Sequence, residues 1–369
     1  MSRRHYLDHA STSPLLPGVA EATGPWLSAA DPGRVHTEGR MARAALEDAR
    51  ERIASALGCR ASREVVLTGG ATEAVAMATW GAIRRVPGGA VVAAAIEHSS
   101  VREWAVRAGG GVVEPPVDAT GRLSLGNLDL RGAALVNVQW GNHEVGTLQP
   151  VAEVVAAARR AGALVHIDAS QAVGRVPVDF AALDADLLSV SGHRLGGPRG
   201  TGALLVRRGL RLEPLLVGGA QERARRAGLE NVGGAVGLAA ALEHHDPVAE
   251  GARQHALAER LLTGAAAIGG VRRHTPAARL PHIACFGLDG VEAEPVLLGL
   301  DQAGVAVHSG SSCSSELLEP SPVLAAMGVD SERSLRASVG WSTTEDDVNA
   351  FLLALPQVLD SLRALGAGR

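Results

Sequence analysis

Apolar residues recur at helical spacing in the first long periodic segment of the chain, residues 41–58 (MARAALEDARERIASALG). Gly58, the last residue of this segment, is typical of a helix end. The apolar positions are Ala42, Ala45, Leu46, Ala49, Ile53 and Leu57. The next segment, 64–68 (EVVLT), is a short β-branched run, and it leads through Gly69 and Gly70 into the helical composition of ATEAVAMATWGAI. This pattern predicts a helix, then a strand, a glycine turn and a second helix.

The same alternation continues through the first two thirds of the chain. Residues 89–96 and 133–139 predict buried strands, 151–162 predicts a helix, and the runs ALVHID, DLLSVS and TGALLV predict further strands. Strands that alternate with helices predict an α/β fold, with a mostly parallel sheet covered by helices on both faces. Ligands of such sheets bind outside the carboxyl ends of the strands. Helices dominate beyond residue 246, which predicts a domain boundary near that position.

Composition narrows the class of protein. The chain has 369 residues, of which 46% are apolar, and this is enough for two domains with substantial cores. A net charge of −4 argues against nucleic acid as a partner, because no excess of basic residues is available to neutralise phosphates. The chain has no apolar run of the ~20 residues that span a bilayer, and its N-terminus lacks the apolar core of a signal peptide. We therefore expect a cytoplasmic protein with no membrane partner.

Three cysteines, Cys59, Cys285 and Cys313, are too few and too widely separated for a disulfide framework or a metal knuckle. Cys313 stands in a run of glycine and serine, SGSSCSS, where a thiol is more reactive than one packed in a core. The other two are typical of packing residues. The run HHD at 244–246 does not predict a metal site, because adjacent residues of a helix face different directions.

All 35 basic residues of the chain are arginine, and none is lysine. The guanidinium group of arginine stays protonated at ordinary pH and its lone pairs are delocalised, so it cannot act as an amine nucleophile. No side chain of this protein can therefore form a Schiff base in the way that a lysine does.

Two segments carry candidate chemistry with more than one interpretation. LTGGATEAV, 67–75, places a glycine turn before a helix, which fits either a phosphate held by free backbone N–H groups and Thr72 or a simple turn. Asp168 ends an apolar strand in VHIDASQAVGR, where a buried carboxylate needs a cationic or hydrogen-bonding partner. It fits either a partner of a protonated pyridine nitrogen or a helix N-cap.

The order and spacing of nine motifs resemble those of the cysteine desulfurases, which are class V aminotransferase-like proteins of fold-type I that use pyridoxal 5′-phosphate (PLP). The motifs are YLDHASTSP, LTGGATEAV, IEHSSV, GNHEVGTLQP, VHIDASQAVGR, SVSGHRLGGPRGTG, GGAQERARRAGLEN, the Cys313 loop and LRASVGWSTTEDDV. The resemblance covers the chain from Tyr6 to about Leu359. It implies a large α/β domain over 12–245 with a seven-stranded sheet. A smaller α+β domain is implied over 1–11 and 246–369, carrying the Cys313 loop.

The resemblance also implies a reaction and a set of site residues. In the family, L-cysteine condenses with PLP, and a loop cysteine takes the substrate sulfur as a persulfide, leaving alanine. By resemblance, Cys313 is the sulfur nucleophile, His98 stacks on the cofactor ring, and Arg336 holds the substrate carboxylate. The other implied cofactor contacts are Ala71, Thr72, Asp168, Gln171, Ser191 and His193.

Several positions depart from the family pattern. Arg194 occupies the position of the Schiff-base lysine, which in the family also moves the substrate proton. His143 replaces an asparagine that contacts the cofactor ring, and Leu229 replaces a threonine that reaches the phosphate from the neighbouring subunit. His9 replaces another asparagine, and alanines at 220 and 224 replace glycines.

These departures leave two functions open. In the first, the chain is a catalytically degenerate desulfurase that acts as a persulfide acceptor, or as a partner or scaffold. In the second, it is an active desulfurase that holds PLP noncovalently, with a group such as His98 or His143 moving the proton. Covalent attachment of PLP is impossible in either case. The implied partners are a second identical chain or an active desulfurase, together with a protein that donates or accepts sulfur.

Overall fold

The computed structural model describes residues 4–124, 126, 129–310 and 320–367, so the predicted nucleophile Cys313 lies outside the described residues. The strands of this part are β1 (His5–Tyr6), β2 (Val65–Thr68), β3 (Ala90–Val92), β4 (Val112–Val113), β5 (Ala133–Gln139), β6 (Leu164–Asp168), β7 (Leu187–Ser191), β8 (Gly202–Val206), β9 (Val271–Arg273), β10 (Ile283–Leu288), β11 (Val305–Ala306), β12 (His308–Ser309) and β13 (Ser334–Ser338). Its α-helices are α1 (Pro17–Thr23), α2 (Thr37–Ala56), α3 (Ala71–Arg85), α4 (Ser99–Arg107), α5 (Val151–Ala161), α6 (Phe180–Leu183), α7 (Gln221–Ala224), α8 (Val232–His244), α9 (Pro247–Ala266), α10 (Ala293–Gln302), α11 (Pro322–Ala326) and α12 (Glu345–Ala367).

Seven strands form the central sheet, in the order β2-β8-β7-β6-β5-β3-β4. Strand β8 is antiparallel to both of its neighbours, and the other neighbouring pairs are parallel. All seven side chains of β5 are buried, which a strand at the centre of a two-sided sheet requires. The predicted α/β fold with a mostly parallel seven-stranded sheet is confirmed.

Helices cover both faces of this sheet. Val91 and Leu135 pack on one face, in a core that includes residues of α3 and α4. Val92 and Val136, the next residue along each strand, pack on the other face with residues of α2, α5 and α8. Successive strand residues point to opposite faces, so a continuous apolar run supplies both cores.

Most predicted elements are present, with some changes of length. The run 133–139 coincides with β5, and α5 ends before Gly162, whose φ of 72° lies in the left-handed region that glycine favours. Helix α2 starts four residues before the predicted position, because the side chain of His36 accepts a hydrogen bond from the Gly39 N–H (3.2 Å) and caps the helix. The predicted strand 89–96 is shorter, since only Ala90–Val92 pair in the sheet.

A second core lies around the antiparallel sheet β12-β13-β10-β9 and the parallel pair β1 and β11. Leu7, next to β1, is buried in this core together with Phe286 of β10 and Phe351 of α12, whose rings stack 6.0 Å apart. Asp246 caps α9 by accepting hydrogen bonds from two N–H groups of its first turn. The domain boundaries after residues 11 and 245 stay a prediction.

Within the described residues, α12 is the one helix long and apolar enough to cross a membrane by length and composition. Helices from the cores of soluble proteins pass the same test. Here Val348, Phe351, Leu355 and Leu359 are buried in the second core at a spacing of three or four residues. This spacing is typical of a helix with one face packed against a core.

Helix α7 is held in an unusual conformation by a buried ion pair. Glu222, Arg223 and Ala224 have φ values of 49°, 58° and 60°, in the left-handed region that non-glycine residues avoid. The Glu222 carboxylate accepts both Nη groups of Arg50 (2.6 and 2.7 Å) and the N–H of Leu67 (2.9 Å). These contacts anchor the strained segment to α2 and β2, and Ala224 stands at a position where the resemblance implies glycine.

We expect Glu222→Ala to destabilise the fold by about 3–5 kcal/mol, because it leaves the Arg50 guanidinium buried without its main partner. Glu47 offers a matched control, since it contacts the same arginine at 3.4 Å but its side chain is 31% exposed. Glu47→Ala should cost below about 1 kcal/mol. Urea unfolding of both variants measures the difference, and equal losses would contradict this account of the segment.

Candidate functional site

A cavity of about 500 Å³ opens at the carboxyl edge of the central sheet. The last residues of three neighbouring strands, Gln139 of β5, Asp168 of β6 and Ser191 of β7, line it. Parallel strands end at the same edge, which brings together residues that are far apart in the sequence. The described lining also includes Ala71, Thr72, His98, His143, Gln171, His193 and Arg194, so nine of the predicted site residues share this cavity.

The N-terminus of α3 forms one side of the cavity. Gly70 precedes the helix with a φ of 148°, and no side chain caps the first turn. A Cβ atom on Gly202 of β8 would lie 2.7 Å from the Gly70 Cα, so the close approach of turn and strand needs glycine there. The backbone N–H groups beside Ala71 and Thr72, together with the helix dipole, favour an anion at this end.

Asp168, the last residue of β6, contributes a carboxylate to the lining of the cavity. Its Oδ1 accepts hydrogen bonds from the N–H (3.0 Å) and hydroxyl (2.5 Å) of Ser170 and from the Ser189 hydroxyl (3.2 Å). Burial raises the pKa of this carboxyl, but the Ser170 bonds and the nearby His166 and His98 outweigh burial, and the pKa falls below its usual range. Asp168 is therefore ionised at neutral pH, and all three of these bonds reach the same oxygen.

Gln171 and His98 are both fixed by local hydrogen bonds. The Gln171 amide donates to the Ala10 carbonyl (2.9 Å), and its oxygen lies 3.0 Å from Nε2 of buried His282. His98 caps α4, its Nδ1 accepting from the Ser100 N–H at 3.1 Å. With Nδ1 as the acceptor, the proton of the neutral ring is on Nε2.

The ring of His143 lies against the ring of His98, edge to face, with centroids 5.4 Å apart. Two imidazoles thus meet at the wall of the cavity. Sequence comparison with the family pattern identified His143 as a departure, but only the fold shows that the two rings are in contact.

Ser191, His193 and Arg194 come from the turn after β7. The Ser191 hydroxyl lies 3.0 Å from His193 Nδ1. Burial, and next the charge of Arg194, lower the pKa of His193 to about 4, so its ring is neutral at pH 7. The Arg194 carbonyl accepts a hydrogen bond from Nη2 of Arg175 (2.7 Å), a fully buried arginine that fixes the turn.

Arg336 lies behind the cavity wall. Its guanidinium donates to the His143 carbonyl (2.8 Å), the Asp8 carboxylate (2.9 Å) and the Ser11 hydroxyl (2.7 Å), and its side chain is 1% exposed. In this structure the Arg336 guanidinium therefore contacts the carboxylate of Asp8, a residue of the N-terminal segment. Its role toward a substrate carboxylate stays a prediction.

The remaining departures from the family pattern lie around this site. His9 is fully buried, with Nδ1 2.9 Å from the Ser13 hydroxyl, and burial lowers its pKa to about 3. Leu229 is 64% exposed. Burial raises the pKa values of Cys59 and Cys285 to about 12, which keeps both thiols protonated and supports their interpretation as packing residues.

Sequence reasoning missed Glu97, a carboxyl group buried behind the site. Its Oε1 accepts a hydrogen bond from the Gln139 N–H (3.0 Å), and its buried Oε2 has no hydrogen-bond partner among the residues that the structure describes. Burial, and also the charge of Asp168, raise its pKa to about 8, so Glu97 is protonated at neutral pH. Its place between an apolar strand and His98 was the available signal, but only the fold shows its burial.

Comparisons with known proteins agree with the fold. The family described as aminotransferase class-V matches residues 5–351. The cysteine desulfurase IscS of Dictyoglomus turgidum is 37% identical, over 99% of this chain and 97% of its own length. The IscS-like cysteine desulfurase of Mycobacterium tuberculosis is 39% identical, over 99% of this chain and 100% of its own.

The solved structure of a NifS-like protein superposes with a TM-score of 0.90 at 29% identity, covering 97% of this chain and 99% of the other. The family model and the relatives identify the class of protein as the fold-type I transferases, a PLP-dependent family. The chain belongs to the class V aminotransferase family and, within it, to the cysteine desulfurases.

The buried Glu97 predicts an unusual pH dependence of stability. Its pKa rises from 4.5 in the unfolded chain to about 8 in the fold, so the folded state binds the extra proton between these values. Stability should therefore fall as the pH rises from about 4.5 to about 8, by a contribution of roughly 4 kcal/mol. Urea unfolding of Glu97→Gln across this range should show a flatter profile and higher stability at pH 8.

Glu64 provides the control for this prediction. It is also buried, but its carboxylate accepts hydrogen bonds from the N–H groups of Arg60 (2.7 Å) and Arg208 (2.8 Å). Glu64→Gln should give no gain at pH 8, because it weakens bonds made to a charged acceptor. A Glu97→Gln protein no more stable than the native one at pH 8 would contradict the protonated state of Glu97.

Proposed function

We propose that this protein is a sulfur-transfer member of the cysteine desulfurases that does not itself cleave L-cysteine by the lysine-dependent route. In this proposal it accepts a persulfide sulfur on Cys313 from an active partner. The observation that carries the proposal is that Arg194 lines the cavity in a chain that has no lysine, and by resemblance position 194 is that of the family's lysine.

Most residues of the cavity fit PLP, although covalent attachment is impossible and His143 departs from the family pattern. The N-terminus of α3, with Thr72, Ser191 and His193, would hold the phosphate. The ionised Asp168 would pair with the pyridine nitrogen, and Gln171 has a second amide hydrogen for the phenolic oxygen. His98 would lie on the ring. When bound, PLP supplies an electron sink for bonds at the substrate α-carbon.

Arg194 cannot perform the two tasks that the resemblance assigns to the lysine. A guanidinium cannot condense with an aldehyde, and it cannot accept a proton near neutral pH, because it is already protonated there. It can donate hydrogen bonds to a phosphate or carboxylate. The cavity thus supports noncovalent holding of the cofactor and lacks the base at position 194.

The sulfur step proposed for Cys313 needs no lysine. The Cys313 thiolate attacks the outer sulfur of the donor's persulfide, the S–S bond of the donor breaks, and the donor cysteine leaves as a thiolate. One persulfide forms and one is consumed, so no oxidant or reductant is required. The run SGSSCSS around Cys313 stays close to the family pattern, which supports a retained role for this thiol.

The partner in this proposal is a second protein chain in the cytoplasm. Leu216, Val217 and Leu229 are exposed apolar residues in one segment after β8, which supports an interface there. The family's dimers draw on both subunits at this segment by resemblance. A homodimer and a heteromer with an active desulfurase are both compatible with this surface.

An active enzyme with noncovalently held PLP is the second candidate, and the contact between the His98 and His143 rings favours it. In that case one of these imidazoles would move the substrate proton in place of lysine. The two candidates differ in a single measurable product, alanine formed from L-cysteine by the purified protein.

Arg194→Lys should restore covalent attachment, because the rest of the cavity is retained. After addition of PLP and borohydride reduction, the mass of this variant should increase by that of the cofactor, while the native chain stays unchanged. Arg199→Lys is the matched control, since it adds a lysine at an exposed position of the same loop. The native protein should form no alanine from L-cysteine, and alanine above the control rate would overturn the proposal.

The native protein should gain a persulfide at Cys313 only when a persulfide-loaded desulfurase is present. Mass spectrometry after alkylation measures the added sulfur, and Cys313→Ser should abolish it. Cys285→Ser should leave it unchanged, because Cys285 is fully buried and its thiol is held protonated. Labelling of Cys313 by L-cysteine alone would instead support the second candidate.

A further inference from the structure

Three of the described residues that line the cavity carry a carboxylate or a guanidinium group, namely Glu73, Asp168 and Arg194. Glu73 faces the cavity, but its carboxylate pairs with Arg226 (2.7 Å) and accepts the N–H of Gly69 (2.6 Å). Asp168 also lines the cavity and is ionised. Among the described lining residues, Arg194 is the one side chain with a permanent positive charge.

The charge of Arg194 acts on several groups around the cavity. It is the second cause, after burial, of the lowered pKa of His193, which falls to about 4, and of Arg175, which falls to about 9. It also contributes to the lowered pKa of buried His282. Each of these effects lowers a pKa, because a fixed cation disfavours any second positive charge nearby.

A lysine and an arginine differ in how they meet a cationic ligand. A lysine ammonium can lose its proton in a buried site and so tolerate a neighbouring ammonium, but a guanidinium keeps its charge. At an effective dielectric constant of roughly 20, the repulsion energy of two like charges about 5 Å apart is larger than the free energy that corresponds to a tenfold loss of affinity.

We propose that Arg194 makes the cavity selective for ligand charge, so that it takes phosphorylated pyridines whose group facing Arg194 is neutral or anionic and rejects those with an ammonium there. This rests on the noncovalent holding of a phosphorylated pyridine proposed above. With no lysine to bind an aldehyde, the aldehyde itself gives no covalent advantage. Arg194 then becomes the residue that decides which chemical form of the cofactor stays bound.

Two ligands of nearly equal size separate charge from shape. Pyridoxine 5′-phosphate carries a neutral hydroxymethyl group where pyridoxamine 5′-phosphate carries an aminomethyl group, which is protonated at pH 7.5 like other alkylamines. Both present the same phosphate and ring nitrogen to α3 and Asp168. A difference between their affinities therefore measures how strongly the surroundings of that one group favour or disfavour a positive charge.

The test is isothermal titration of the full-length native protein with each of the two ligands and with PLP at pH 7.5. We expect pyridoxine 5′-phosphate and PLP to bind with dissociation constants within about threefold of each other. We expect pyridoxamine 5′-phosphate to bind at least about tenfold more weakly. Arg194→Gln should reduce this tenfold difference to threefold or less, and Arg199→Gln should keep it.

Three results would overturn the inference. They are equal affinity of the native protein for the two charge-different ligands, a preference that survives Arg194→Gln, and binding of none of the ligands at millimolar concentration. The circular dichroism spectrum of each variant shows whether it is folded. Alanine formation by the native protein would end the proposed function while leaving this charge preference intact, so the two failures are distinguishable.

Discussion

The buried negative charge of Asp168 is the constraint to which the surrounding groups are adjusted. Three hydrogen-bond donors stabilise its carboxylate, whereas Glu97, behind it, has one donor and keeps its proton. Because the two neighbouring carboxyl groups have unequal numbers of hydrogen-bond donors, one is ionised and the other is protonated. Asp168, which faces the cavity, is the one that carries the charge. The cavity is therefore lined both by an ionised carboxylate and by the N-terminus of α3.

Each residue of this cavity also has a structural task. Gln171 joins the N-terminal segment to His282, His98 caps α4, and Arg336 holds Asp8. These bonds stabilise the fold whether or not a ligand is bound, so their persistence does not by itself indicate catalysis. At position 194 the backbone carbonyl makes the bond to Arg175, which a change of side chain leaves in place. This explains how a cavity can keep most of its form while its central amine is replaced.

The sequence was sufficient to predict the central sheet and the shared location of its strand ends, because apolar runs and their polar last residues follow local rules. It placed Asp168, Gln171 and Arg194 near one another through the order of motifs. It could not show that Arg336 contacts Asp8 or that Glu97 is protonated, since both depend on packing between distant segments. The left-handed residues of α7 were equally inaccessible, because a buried ion pair with α2 overrides their backbone preference.

The pairing of β1 with β11 has a consequence for the synthesis of the protein. His5 and Tyr6 align with Val305 and Ala306, and Leu7 lies in the core formed with β10 and α12. During translation, the ribosome synthesises β1 long before it synthesises β11 and α12. Strand β1 therefore stays unpaired, and Leu7 stays exposed, while the central sheet is translated. The smaller core can close only after β11 and α12 have been made, so β1 and α12 join the fold at the same late stage.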